Sequence, residues 1–220
     1  MNSVCVNSVD NSGLYSMIKR IYSSICFRLI RYLSIKSIPK KEHVIYLTFD
    51  DGPETGITEF VLEELKKYGF KATFFCRGDN AAIYPELVSA IRKEGHTVAN
   101  HTYSHLCSFS CEKNTYLKDV EHASSILKTS LFRPPHGTLP IPLYWKIKKE
   151  YSIILWTINS GDYLQDSFEL VKCLNNLKKR TKQGDVVLFH FCQKHERETR
   201  SILPLYLRWL FENNYKSETL

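Results

Sequence analysis

Apolar and polar positions alternate with two different periods along the chain after residue 43. Short runs of β-branched, aromatic and aliphatic residues predict seven strands: Val44–Phe49, Phe70–Phe75, His96–Ala99, Leu131–Arg133, Ser152–Trp156, Asp185–His190 and Lys216–Thr219. Longer segments with apolar residues at every third or fourth position predict six helices: Thr58–Tyr68, Pro85–Glu94, Thr115–Lys128, Pro142–Lys149, Ser167–Thr181 and Glu196–Asn213. Because strands alternate with helices, we expect a parallel sheet, either closed into a barrel ringed by helices or open and covered on both faces.

The first 43 residues follow a different pattern, which predicts a basic amphipathic helix within residues 14–39. The apolar face would carry Ile18, Ile21, Tyr22, Ile25, Leu29, Tyr32 and Leu33, and the opposite face Arg20, Ser24, Arg28 and Arg31. We expect an N-terminal extension over residues 1–43 and one domain over residues 44–220. Two interpretations are open: the helix packs its apolar face on the domain, which we favour, or it contacts a membrane surface.

Length and composition suit a single globular domain, because 220 residues with 43% hydrophobic content can bury one sizeable core. The net charge of +7 suits contact with anionic polymers but does not choose between nucleic acid, acidic glycan and membrane. Seven cysteines are an odd number, which argues against a disulfide framework and for mostly reduced thiols. No apolar run reaches membrane-spanning length and no signal peptide is recognisable, so we expect a cytoplasmic or peripherally membrane-associated protein.

Reactive side chains follow the predicted strands at one end only. They are Asp50 and Asp51 after the first strand, His101 and His105 after the third, Arg133 at the end of the fourth, Asp162 after the fifth and His190 at the end of the sixth. Each alone is more often a turn, surface or packing residue. Because parallel strands collect their carboxyl ends at one edge of the sheet, we expect the seven residues to form one site.

Two adjacent carboxylates and a pair of histidines indicate a catalytic metal ion in this site. One of Asp50 and Asp51 can bind a divalent cation while the other takes a proton from metal-bound water. His101 and His105 are four residues apart and can face one point on a helical turn. Two imidazoles and one carboxylate leave coordination positions open, which is typical of catalytic ions. We do not favour the nearby cysteines 107 and 111 as competing ligands.

These residues lie in five motifs that resemble the polysaccharide deacetylases, the NodB-like chitooligosaccharide deacetylases of carbohydrate esterase family 4. The motifs are Thr48–Pro53, His101–His105, Arg133–Gly137, Trp156–Tyr163 and Leu188–His190. The resemblance runs from about Val44 to the end of the sequence. It implies a distorted (β/α) barrel of about seven parallel strands, which agrees with the number of strands predicted from periodicity.

The resemblance also implies a role for each residue. It makes Asp51, His101 and His105 the ligands of a divalent metal, usually Zn²⁺, and Asp50 the general base. Further implied roles are His190 as general acid, Arg133 as the partner of Asp50, Asp162 as the partner of His190, Leu188 and Trp156 as the lining of the acetyl pocket, and a backbone N–H near His136 as an oxyanion donor. Asn159 and Tyr163 stand where acidic and Trp residues are frequent, so Tyr163 is expected to shape the sugar subsites.

The implied activity is metal-dependent removal of N-acetyl groups from an amino-sugar polysaccharide or oligosaccharide, peptidoglycan or chitin-like. The expected partner is an N-acetylated glycan rather than a nucleic acid, and a monomer is expected. Two alternatives are a silent glycan-binding module and a deacylase that acts on a small amide. An Fe(II) oxygenase would use the same three ligands but would leave Asp50, Arg133 and His190 without a role.

Overall fold

The computed structural model describes residues 13–35 and 38–220. Residues 1–12, 36 and 37 of the expected extension lie outside the described residues. The helices are α1 (Gly13–Ile35), α2 (Ile57–Lys67), α3 (Gly78–Ile83), α4 (Pro85–Lys93), α5 (Lys113–Leu127), α6 (Ile141–Ile147), α7 (Leu170–Arg180) and α8 (Glu196–Glu212). The strands are β1 (Val44–Asp50), β2 (Ala72–Cys76), β3 (Thr97–Asn100), β4 (Leu131–Phe132), β5 (Ser152–Ile153), β6 (Ile158–Asn159), β7 (Val186–His190) and β8 (Lys216–Ser217).

All described strands pair in parallel, in the order β5-β4-β3-β2-β1-β7-β6, with β8 beside the start of β1. The sheet curls into a half-barrel ringed by helices, which confirms the expected distorted (β/α) barrel. The predicted strand Ser152–Trp156 is wrong in its extent. Only Ser152–Ile153 of this segment is a strand (β5). A separate short strand, β6, follows at Ile158–Asn159 on the opposite edge of the sheet, so the described residues form eight strands rather than seven.

The pleat of β1 separates the main core from the inside of the barrel. Ile45, Leu47 and Phe49 pack into the large core between the sheet and the helices. Alternate positions therefore face the barrel interior, where Thr48 and Asp50 contact a buried arginine. Because both faces of the strand are covered, its residues are all buried and form one nearly continuous apolar run.

Helix α1 lies against the segment that joins the two edge strands. The backbone N–H of Leu155 donates to Ser34 Oγ at 2.7 Å, and Arg31 Nη2 donates to the carbonyl oxygen of Thr157 at 2.7 Å. Phe27 packs against Trp156 with ring centroids 5.6 Å apart. Backbone groups that a neighbouring strand would satisfy in a closed barrel are thus satisfied by side chains of α1.

The face of α1 that packs on the domain is not the predicted apolar face. The buried residues of the helix are Ser23, Cys26, Phe27, Ile30 and Ser34. The predicted apolar residues other than the half-buried Leu33 are between 41 and 57% exposed: Ile18, Ile21, Tyr22, Ile25, Leu29 and Tyr32. The expectation was wrong because the segment between β5 and β6 presents backbone N–H and C=O groups, which Ser34 and Arg31 of α1 can satisfy and aliphatic side chains cannot. No helix within the described ranges is long and apolar enough to cross a membrane.

Two smaller differences separate the structure from the sequence-based expectations. The six-residue helix α3 was not predicted, since one and a half turns are too short to show helical periodicity. Of the six cysteines in the described ranges, Cys26, Cys76, Cys111, Cys173 and Cys192 are free, whereas Cys107 is disulfide-bonded. The expectation of mostly reduced thiols therefore does not extend to Cys107.

Candidate active site

The carboxyl ends of β1, β3 and β7 meet at a cavity of about 310 Å³, as expected for a parallel sheet. Its lining includes nine residues singled out from the sequence: Asp50, Asp51, His101, His105, His136, Trp156, Tyr163, Leu188 and His190. The other two, Arg133 and Asp162, are fully buried directly behind Asp50 and His190. The structure therefore brings all eleven residues together.

Asp51, His101 and His105 present one ligand atom each within 4.8 Å of one another. Asp51 Oδ1 lies 3.4 Å from His101 Nε2 and 3.1 Å from His105 Nε2. His101 Nδ1 lies 2.8 Å from the carbonyl oxygen of Arg133, to which it must donate its proton. In a neutral imidazole this leaves a lone pair on Nε2, directed at the same point as the carboxylate.

The donor set fits a divalent metal such as Zn²⁺. Asp51 Oδ1 is buried and accepts no hydrogen bond from any residue in the described ranges. A buried carboxylate oxygen that faces two imidazole nitrogens lacks a cation, and one carboxylate with two imidazoles is a common zinc ligand set.

The two histidines do not converge on a helical turn, so that expectation was wrong. Residues 101–107 form an irregular loop in which Thr102 and His105 have positive φ angles of 65° and 56°. The carboxylate of Asp119 on α5 accepts hydrogen bonds from the backbone N–H groups of Tyr103 and Ser104 at 2.9 and 3.1 Å. Tertiary contacts thus hold a strained backbone that places the imidazole rings 5.2 Å apart.

Asp50 is fixed by a buried arginine. Arg133 Nη1 donates to Asp50 Oδ1 at 2.7 Å and to Thr48 Oγ1 at 2.9 Å, and its guanidinium lies 3.9 Å from the centre of the Phe75 ring. Burial lowers the pKa of Arg133, and the charge of Asp50 opposes that shift. The other carboxylate oxygen, Asp50 Oδ2, faces His101 and lies 3.9 Å from its Nε2 atom. One carboxylate oxygen is therefore anchored while the other faces the ligand cluster.

His190 and Asp162 form the second charged pair. Nδ1 of His190 donates to Asp162 Oδ1 at 2.8 Å, and the backbone N–H of His190 donates to Oδ2 at 2.7 Å. Burial lowers the pKa of His190, but the charge and hydrogen bond of Asp162 outweigh it and raise this pKa to about 9. The same contact outweighs burial to lower the pKa of Asp162. His190 is consequently protonated at neutral pH, and Nε2 is the ring atom left for a substrate.

Leu188, Trp156, Tyr163 and His136 form the remaining expected wall of the cavity. The His136 ring stands edge-on to His105 with centroids 5.0 Å apart. Burial lowers the pKa of His136 to about 4, so its ring is neutral. This wall is mainly apolar and aromatic, which suits an acetyl group and the face of a sugar ring.

His195 also lines the cavity, although no sequence pattern singled it out. Its ring lies 4.9 Å from that of His190, and its buried Nδ1 has no hydrogen-bond partner among the residues that the structure describes. Asp51, Cys192 and His195 form a second group of ligand atoms within 4.8 Å. The position of His195, five residues after the strand-end residue His190, could have suggested a role in the site. Only the fold of the intervening loop, however, places its ring beside that of His190. The rejected Cys107 and Cys111 belong to neither ligand group found in the described ranges.

Residues 37–151 match the polysaccharide deacetylase family. A peptidoglycan-N-acetylglucosamine deacetylase from Bacillus cereus is 32% identical over 73% of this chain, and the match covers 60% of the relative's own length. A second protein of that name from the same organism is 30% identical over 83% of this chain and 89% of its own length. A chitooligosaccharide deacetylase from Bradyrhizobium is 29% identical over 66% of this chain and 69% of its own length.

Solved structures show the same architecture. The peptidoglycan N-acetylglucosamine deacetylase Bc1960 superposes with a TM-score of 0.76 at 28% identity, covering 83% of this chain and 88% of its own. A carbohydrate esterase family 4 pseudoenzyme from Bacillus anthracis superposes with a TM-score of 0.72 at 22% identity, covering 83% of this chain and 65% of its own. The second likeness concerns the fold alone, so the overall shape does not distinguish an active enzyme from a silent relative.

Proposed function

Since the chain belongs to the polysaccharide deacetylase family, we propose that it is a zinc-dependent hydrolase that removes N-acetyl groups from an amino-sugar glycan. The observation that carries the proposal is the buried Oδ1 oxygen of Asp51, which faces two imidazole nitrogens without any hydrogen-bond donor in the described ranges. Asp50, held by Arg133, and His190, held by Asp162, supply a base and an acid beside this ligand cluster.

The residues divide the reaction between them. When bound to Asp51, His101 and His105, Zn²⁺ would polarise the amide carbonyl and lower the pKa of the attacking water. Asp50 Oδ2 takes a proton from that water, since Oδ1 is held by Arg133. A backbone N–H near His136 donates to the oxygen on which negative charge develops.

His190 completes the reaction by giving its Nε2 proton to the departing sugar amine. The C–N bond breaks, and acetate and a free amine are released. Asp162 keeps this proton available at neutral pH by raising the pKa of His190.

An amino-sugar glycan is the substrate class that the relatives support. Those named above act, by name, on peptidoglycan N-acetylglucosamine and on chitooligosaccharides. We propose an N-acetylated glycan of the peptidoglycan or chitin type as the substrate of this chain. A small amide is disfavoured because the cavity opens beside a second cavity along the same wall.

Acetate release tests the proposal. Metal-stripped protein would be assayed on N-acetylglucosamine oligomers and on peptidoglycan, before and after zinc is added back. We expect release only with zinc. No release from either substrate by protein that carries stoichiometric zinc would contradict the proposal and favour a silent binder or a different amide substrate.

We also propose that the exposed apolar face of α1 contacts an anionic membrane surface. Ile21 and Ile25 are more than half exposed, and the basic residues Arg20 and Arg28 of the same helix are exposed as well. Ile21→Ser with Ile25→Ser should reduce cosedimentation with anionic phospholipid vesicles, whereas Val171→Ser, at a 72% exposed apolar residue on α7, should not. Equal vesicle binding by both variants, or a dimer on this face seen in sedimentation without lipid, would overturn the proposal.

A further inference from the structure

A second cavity of about 310 Å³ adjoins the candidate active site near the opening between β5 and β6. The two cavities share Trp156, Asn159 and Tyr163 as lining residues. Helix α1 and helix α7 form the other walls of the second cavity. Its volume lies at the lower end of the usual range for ligand sites, about 300–1,000 Å³. A glycan with one sugar in the active site can therefore extend a neighbouring group into this cavity.

Two arginines from distant parts of the chain line the second cavity, Arg31 on α1 and Arg180 at the end of α7. Arg31 is held in place by the 2.7 Å hydrogen bond from Nη2 to the Thr157 carbonyl. Its Nε is buried and has no hydrogen-bond partner among the described residues. Neither guanidinium forms an ion pair with a carboxylate in the described ranges.

The charge of this arginine pair is not neutralised by the fold. Burial lowers the pKa of Arg31, and the like charge of Arg180 lowers it further. Asp185 opposes these two effects but does not cancel them. Two adjacent cations that repel each other destabilise the folded protein. A structural role for Arg31 needs only its bond to Thr157 and gives no reason for Arg180 to lie beside it.

We infer that this second cavity, lined by Arg31 and Arg180, is a subsite for a carboxylate carried by the glycan substrate. The inference rests on the proposed deacetylase function and narrows the substrate class. Guanidinium groups bind carboxylates through two parallel hydrogen bonds, and the free Nε of Arg31 supplies one such donor. Ser160, Asn159 and Asn176 add neutral polar groups to the same wall. The substrate is accordingly an anionic N-acetylated glycan, with its carboxylate close to the sugar that is deacetylated.

Paired substrates test this subsite. The zinc-loaded protein would be assayed on a neutral N-acetylglucosamine oligomer and on an oligomer of equal length in which alternate N-acetyl sugars carry a carboxylate. The readout is the ratio of kcat/KM for the carboxylate-bearing oligomer to kcat/KM for the neutral one. Arg180→Gln should lower this ratio about tenfold, the loss of one charge-assisted hydrogen bond at a partly exposed site.

Lys179→Gln is the matched control, because it removes one positive charge from the same helix at a residue outside both cavity linings. We expect the wild-type ratio in this variant. Arg31→Gln should lower the ratio as Arg180→Gln does. If the loss of Arg31 unfolds α1, the Arg180→Gln variant alone tests the subsite. The same ratio in wild type and Arg180→Gln would overturn the subsite.

Failure of the deacetylase proposal is distinguishable from failure of the subsite. If zinc-loaded protein releases no acetate from either oligomer, the affinity for the carboxylate-bearing oligomer is measured instead by isothermal titration calorimetry. Binding about tenfold weaker in Arg180→Gln than in Lys179→Gln would support the subsite without catalysis. Equal affinities in the two variants, or no binding by the wild type, would overturn it.

Discussion

Replacing Asp162 by Asn tests how the proposed general acid is kept protonated. Asp162 Oδ1 accepts the His190 Nδ1 hydrogen bond, and Oδ2 accepts bonds from the His190 backbone N–H and from Thr199 Oγ1. An Asn side chain has nearly the same shape and keeps one oxygen acceptor, so packing is largely retained. The negative charge that favours the imidazolium is lost.

The size of the effect follows from the pKa of His190. Asp162 contributes the largest of the interactions that raise this pKa from 6.5 to about 9, while burial alone lowers it. Without the charge, the pKa returns to about 6.5 or below, so the protonated fraction at about pH 7.5 falls from nearly all to about one tenth. The acid works only when protonated, so its contribution is present below this pKa and is lost as the pH rises through it. We expect about a tenfold loss of activity at this pH, with the alkaline limb of the profile moved to lower pH.

The assay is kcat/KM for acetate release as a function of pH, with metal content measured in each variant. A bound Zn²⁺ lowers the His190 pKa in both proteins, so the displacement between their alkaline limbs is the quantity compared. Thr199→Val is the matched control, since it removes a hydrogen bond to the same carboxylate without removing charge. An alkaline limb at the same pH in wild type and Asp162→Asn, with metal and fold intact, would refute the reasoning.

Three further outcomes are expected. Asp50→Asn should keep its metal and lose turnover by about 10²- to 10⁴-fold in acetate release, because it removes the base and leaves the ligands; if metal is lost as well, Asp50 is a ligand. His101→Ala and His105→Ala should each lose the ion in elemental analysis, and normal metal content in both would sink the proposed site. Phe27→Ala should lower the free energy of unfolding in urea by about 3–5 kcal/mol, since Phe27 is buried against Trp156. A loss below about 1 kcal/mol would show that α1 is not part of the cooperative fold.

Local periodicity was sufficient to predict most of the barrel. Helices α2, α4, α5, α6, α7 and α8 begin and end within three residues of the predicted segments. The predicted strand Ser152–Trp156 was the exception. Its apolar run does not reveal that strand β5 ends at Ile153, nor that the chain then crosses to the opposite edge of the sheet to form β6. Its residues Ile154 and Leu155 are buried like those of a strand, but they lie beside α1 and the barrel interior rather than between paired strands.

The candidate site was accessible from the sequence because its residues directly follow strands. A parallel sheet brings strand ends together whatever the details of packing, so Asp50, His101 and His190 had to lie near one another. Their detailed approach depended on loops that have no periodicity. The positive φ angle of His105 and the return of His195 to the cavity illustrate this limit.

The sequence by itself determined the parallel (β/α) architecture and the edge that carries the reactive side chains, because strand and helix periods are local properties. Only the tertiary structure decided which face of α1 is buried and that Arg31 comes to lie near Arg180. The buried face of α1 and the position of Arg31 both depend on the opening between β5 and β6. Backbone groups there have no neighbouring strand and form hydrogen bonds with Ser34 and Arg31 of α1. The residues that form these hydrogen bonds are far apart in sequence, so no local sequence pattern predicts the contact.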